Sequence, residues 1–181
     1  MSIIQKQLKH KAGIFIMLTF GVFTMMSWVS VESLSKSYKK KINKTLVDIW
    51  GEQTELVNFS IPESSTENFE KAGVLGVFKI QSATNQTGYV VLAKARSKFE
   101  DFEYVVFYDQ NKTIMAVRVI LYREDYGGEI GSKRWLKQFS GKTAQSPIEI
   151  DEDIQGISGA TISYRAITFG VKDITILMSE L

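Results

Sequence analysis

The chain has 181 residues, is 44% hydrophobic and carries a formal charge of +2, which leaves room for one anchor and one modest globular domain. It contains no cysteine, excluding a disulfide framework, thiolate zinc, iron–sulfur ligation and thiol catalysis, and its single histidine, His10, cannot build a His-rich metal site or a Ser–His–Asp triad. No basic stripe interleaved with aromatics appears, so nucleic acid is not an expected partner.

Lys6, Lys9, His10 and Lys11 open the chain, and residues 1–11 read as a cytoplasmic tail. From Ala12 to Val31 no charged residue occurs, and the stretch has about the length needed to cross a bilayer. Residues 12–31 are therefore expected to form a single transmembrane anchor in the inner or cytoplasmic membrane, with Trp28 near one interface. A cleavable signal peptide is the competing reading, but Ser27-Trp28-Val29-Ser30 is a poor substitute for an Ala-x-Ala-like site. Lys36, Lys39, Lys40, Lys41 and Lys44 follow the span, so charge alone leaves its orientation open.

Leu34, Tyr38, Ile42, Leu46 and Ile49 recur near helical period, predicting a juxtamembrane helix over Ser33–Trp50 within residues 32–51, with Gly51 as its C-terminal cap. Residues 52–181 form the expected soluble domain. Pro62 to Glu67 reads as a flexible loop. Gly73–Ile80, Gly88–Arg96, Phe102–Tyr108 and Thr113–Tyr122 are rich in β-branched and aromatic residues and read as strands. Asp109-Gln110-Asn111-Lys112 predicts a hairpin between the last two. Gly131–Phe139 reads as a short helix, with Trp135 and Phe139 as core residues four apart. Thr161 to Leu181 reads as a long helix on which Ile162, Ala166, Phe169, Gly170, Val171, Ile174, Leu177 and Met178 share a broad apolar face. Strands in a run followed by helices predict an α+β fold: an antiparallel sheet with flanking helices behind an N-terminal transmembrane helix. Glu100, Asp101 and Glu103 read as a solvated acidic cluster rather than an acid–base pair.

The stretch Gly156-Ile157-Ser158-Gly159-Ala160-Thr161 is small, hydroxylated and free of acid. A helix starting there would offer unpaired N–H groups and a positive dipole end to an anion, with Arg165 one turn along. The competing reading is an ordinary helix start capped by Ser158 or Thr161.

Ser158-Gly159-Ala160-Thr161, followed by Ile162-Ser163, resembles the flavinylation motif of the FMN-binding domain family. That family includes flavoprotein subunits of the sodium-pumping NADH:quinone oxidoreductase and of the Rnf complex, and the flavin domain of the nitrous-oxide-reduction regulator. Upstream, Tyr122-Arg123-Glu124-Asp125-Tyr126-Gly127-Gly128-Glu129-Ile130 and Lys133-Arg134-Trp135-Leu136-Lys137-Gln138-Phe139-Ser140-Gly141-Lys142 are similar to the family's Gly-rich acidic loop and its Trp/Gln-Phe-x-Gly-Lys helix. The resemblance covers roughly Gly73 to the C-terminus. It implies an FMN-binding domain over residues 52–181, with FMN held by a phosphoester to Thr161 that an FAD-dependent flavin transferase installs outside the cytoplasm. Ser158, Gly159 and Ala160 would shape the phosphate turn, and Arg165 would pair with a phosphate oxygen. Tyr126, Gly127, Gly128 and Glu129 would form a loop over the ring. The family often places an acidic residue six positions before the acceptor threonine, where this chain has Gln155. The implied function is a membrane-anchored electron-transfer flavoprotein facing the periplasm or cell exterior. It would relay electrons between membrane or periplasmic redox proteins. The alternative is an anchored, non-redox binding or sensor module of the same fold without covalent flavin.

Overall fold

The computed structural model describes residues 28–82 and 87–181. The expected anchor lies outside the described residues over 12–27. Among the described residues no helix is long and apolar enough to cross a membrane. The last four residues of the expected span, 28–31, are not helical: the Val29 N–H donates to the Leu75 carbonyl at 2.9 Å, and that of Val31 to Asn58 Oδ1 at 2.8 Å. This stretch is fastened to the globular domain.

Helix α1 spans Lys36–Trp50, a little shorter than expected, because Ser35 caps it by accepting from the Tyr38 N–H. Gly51 ends it at φ 89°, where a side chain would be strained. Strand β1 (Thr54–Asn58) then opens a five-stranded antiparallel sheet completed by β2 (Val74–Ser82), β3 (Thr87–Arg96), β4 (Asp101–Asp109) and β5 (Ile114–Leu121), in chain order. The fold is α+β, as the run of strands before the helices implies. The β4–β5 hairpin turns where expected: Asp109 Oδ1 accepts from the N–H groups of Asn111 and Thr113, and Lys112 adopts φ 64°.

One expectation fails beside β1, and β1 itself was not expected. Residues 62–67 are not a loop, since Glu63–Lys71 form helix α2. Pro62 sits at its N-cap, Glu63 and Lys71 suit opposite ends of the helix dipole, and Phe69 is fully buried. A short polar helix with one buried residue has too little periodicity to announce itself. Likewise β1 has no buried residue and gave no strand signal.

Both faces of the sheet are covered. Val91, Val106 and Val117 align across β3, β4 and β5 on one face; Val90, Phe107 and Ala116 align on the other. This explains why the central strands read as near-continuous apolar runs. Ile42, Leu46 and Trp50 of α1 close the second face. The first is closed by helix α4 (Thr161–Ser179) through Ile167, Val171, Ile174 and Met178. The expected apolar stripe on α4 is corrected: Ile162 and Phe169 are each 50% exposed, while Ser163, Tyr164, Thr168 and Thr175 are buried. Between β5 and α4 the expected single helix is replaced by two 3₁₀ turns, Gly128–Gly131 and Lys137–Phe139, flanking the one-turn helix α3 (Lys133–Leu136). Trp135 and Phe139 are core residues as expected, packed edge to face at 5.5 Å.

Candidate functional site

Thr161 is the first residue of α4 and is exposed. Neither Ser158 nor Thr161 is the cap. Ala160 occupies the N-cap position, no side chain bonds to the helix end, and the first intrahelical bond runs from the Tyr164 N–H to the Ala160 carbonyl. The N–H groups of Thr161, Ile162 and Ser163 precede that bond and have no intrahelical acceptor. The turn before them closes through the Ala160 N–H on the Ile157 carbonyl at 3.2 Å, with Ser158 and Gly159 at its tip. Gly159 has φ 82°, and a Cβ built on it would meet nothing within 4 Å. The turn is therefore open to solvent at the point where an anion would approach the free N–H groups.

The upstream motifs hold this turn in place. Gln155 is clamped through its backbone: its carbonyl accepts from Trp135 Nε1 at 2.7 Å and its N–H donates to Gln138 Oε1 at 2.9 Å. Lys142 lies 3.8 Å from Asp153, and Lys172 pairs with Glu149, so both ends of the acidic stretch are neutralised. Gly127, at φ 79°, packs against Ala160; a Cβ there would lie 2.8 Å from the Tyr122 hydroxyl and 3.2 Å from the Ala160 Cβ. Glycine is required at this contact, which brings the Gly-rich loop against the Ser-Gly-Ala-Thr turn.

The two meet in a cleft of about 730 Å³, lined among others by Tyr122, Tyr126, Gly159, Ala160, Thr161 and Ile162. Tyr126 is 82% exposed. Of the remaining expected residues, Gly127 supports the floor, whereas Ser158, Gly128, Glu129 and Arg165 are exposed around the turn without being part of the cleft wall. Arg165 makes no ion pair among the described residues and stands one helical turn from Thr161.

The sequence missed the opposite wall of the cleft, formed by Ser97, Lys98, Phe99, Glu100 and Glu124. Ser97 Oγ lies 2.5 Å from Ser163 Oγ, which lies 3.1 Å from the Tyr122 hydroxyl, which donates to the Tyr126 carbonyl at 2.8 Å. This hydroxyl chain ties the β3–β4 turn, the first turn of α4 and the Tyr126 loop into one unit. Glu124 Oε1 accepts from the N–H groups of Phe99 and Glu100 at 2.7 and 3.1 Å. The Phe99 bond is the main reason that the Glu124 carboxyl sits below its ordinary value; desolvation opposes it, while the Glu100 N–H, the Ser97 hydroxyl and Arg96 reinforce it. The expected solvated acidic cluster is instead ion-paired, with Asp101 and Glu103 in β4: Arg123 lies 3.9 and 3.8 Å from Glu100 and Glu103, and Asp101 faces Lys94 and Arg96. Among the described residues no acidic or histidine group forms a metal-binding cluster.

Residues 100–175 match the family described as FMN-binding domain. No curated protein matches the chain. Among solved structures it is similar to the crystal structure of one subunit of the Na⁺-translocating NADH-quinone reductase from Parabacteroides distasonis. The identity is 13% and the TM-score 0.48, over 83% of this chain and 98% of that one.

Proposed function

We propose that this chain is a membrane-anchored electron-transfer flavoprotein with FMN phosphoester-linked to Thr161. The observation that carries the proposal is the placement of Thr161 at an uncapped helix start, in the cleft that the Gly-rich loop and the Ser-Gly-Ala-Thr turn build together, within a stretch that matches the FMN-binding domain family. The residues fit the cofactor. Free N–H groups of Thr161, Ile162 and Ser163 suit a phosphate, Gly159 leaves space beside them, and the cleft falls within the usual size range of ligand pockets.

When bound, FMN supplies the electron-accepting and electron-donating chemistry. The chain supplies position and electrostatics. Thr161 Oγ would carry the phosphoester: it would lose its proton and bond to the FMN phosphorus as the pyrophosphate bond of FAD breaks and AMP leaves. The uncapped N–H groups and the helix dipole stabilise the phosphate charge, with Arg165 placed to pair with an outer oxygen. Gly127 seats the Tyr126 loop beside the acceptor, and Tyr126 offers an aromatic surface to the ring. An FAD-dependent flavin transferase would install the link, and membrane or periplasmic redox proteins would exchange electrons with it. The charge-free, apolar stretch from Ala12 to Val31, of which residues 12–27 lie outside the described ones, is the support for a single-pass anchor in the bilayer. Residues 52–181 would then stand outside the cytoplasm as the flavin domain.

Intact mass after co-expression with a flavin transferase tests the covalent link. Wild type is expected to gain one FMN-sized increment, and Thr161→Ala to lose it while keeping its fold. An unmodified wild-type mass in a host that flavinylates other substrates would overturn the covalent reading. For orientation, a reporter fused after Leu181 is expected to be active only outside the cytoplasm, and activity confined to the cytoplasm would reverse the assignment.

A further inference from the structure

Phe99 is 66% exposed, between the charged neighbours Lys98 and Glu100. It is nevertheless held rather than loose. The turn carrying it is closed by the Ser97 N–H on the Glu100 carbonyl at 2.9 Å. Its own N–H is bonded to Glu124, and Ser97 is buried and joined to Ser163, two residues from Thr161. Lys98 Nζ stands 4.9 Å from the Phe99 ring centroid. The turn that carries the ring is thus fixed relative to the acceptor helix, and Phe99 lines the same cleft as Tyr126. Phe99 also lies one residue before the stretch that matches the FMN-binding domain family.

We propose that Phe99 forms an aromatic wall of the flavin ring site, with Lys98 adding a cation beside it. The inference rests on the reading that FMN is carried on Thr161. An exposed aromatic on a turn held by three hydrogen bonds offers its face to a planar ring that fills the cleft. Glu124 and Ser97 are then positioning residues: they touch the turn, not the ring.

The test uses the full chain, flavinylated by co-expression. Phe99→Trp is compared with Phe169→Trp, which alters another exposed phenylalanine, on α4, that does not line the cleft. Loading is read by mass and contact by flavin fluorescence, since an indole touching the ring quenches it. A several-fold loss of fluorescence in Phe99→Trp, with Phe169→Trp unchanged, is expected. Full loading with unchanged fluorescence in both overturns the ring wall and leaves the flavin reading standing. If wild type itself carries no flavin, the underlying reading fails instead. If Phe99→Trp alone fails to load, Phe99→Leu decides: its visible absorption and circular dichroism bands shift relative to wild type where the ring contact exists, and identical spectra overturn the proposal.

Discussion

The two faces of the sheet are both buried, yet they are built differently. Under α1, Ile42, Leu46 and Trp50 rest on Phe78, Leu92, Val105 and Phe107, a contact made mainly of aliphatic and aromatic side chains. Under α4, Tyr104, Tyr108, Thr168 and Thr175 are fully buried among the apolar residues, and the hydroxyl chain from Ser97 to Tyr126 leads out to the cleft. Hydrophobic burial tolerates small shifts because it is non-directional, whereas hydroxyl pairs fix one geometry. The α1 face thus acts as a cover, and the α4 face as a frame for the Thr161 helix start.

The strongest way to break this distinction is to cut into the cover. Ile42 is fully buried, so Ile42→Ala is expected to cost about 2–5 kcal/mol from lost burial and the cavity left behind. Denaturant unfolding of the full chain in detergent measures the loss. In the fraction that remains folded, flavin loading should match wild type. If loading falls while the protein is still folded, α1 is coupled to the site and the division of labour is wrong.

The same division explains what could be read from the residues alone. Strands β2 to β5 were legible because two cores demand apolar side chains on both faces, giving runs such as Phe102 to Tyr108. The helix start at Thr161 was legible from small residues and the apolar run that follows. Strand β1 and helix α2 were not, since neither carries more than one buried side chain. Ile162 and Phe169 misled the reading of α4, because the buried stripe includes hydroxyl residues that apolar periodicity passes over. Phe99 carried no signal at all. Its neighbours Lys98, Glu100 and Asp101 describe a solvated turn, and only the distant Ser163 and Glu124 show that the turn is tied to the cleft.

The α4 face also offers a finer comparison, between two tyrosines of one strand. Burial pushes both phenols far above their ordinary values, so each is a neutral hydrogen-bond donor at any working pH. The Tyr108 hydroxyl lies 2.9 Å from Thr175 Oγ1, and Thr175 donates its own proton to the Val171 carbonyl at 2.6 Å. Tyr108 must therefore be the donor to Thr175. Tyr108→Phe removes that bond and is expected to cost about 1 kcal/mol.

The Tyr104 hydroxyl is buried with no partner among the described residues, pressed so close to α4 that a Cβ on Gly170 would lie 2.2 Å away. An unpaired buried hydroxyl is a standing penalty, so Tyr104→Phe should be neutral or stabilise by up to about 1 kcal/mol. The two variants differ by the same single oxygen, which cancels most of the packing change between them. Urea unfolding of both at one pH reads the difference directly. Equal losses would mean that Tyr104 has a polar partner in solution, and that the frame under α4 is fastened at two hydroxyl points instead of one.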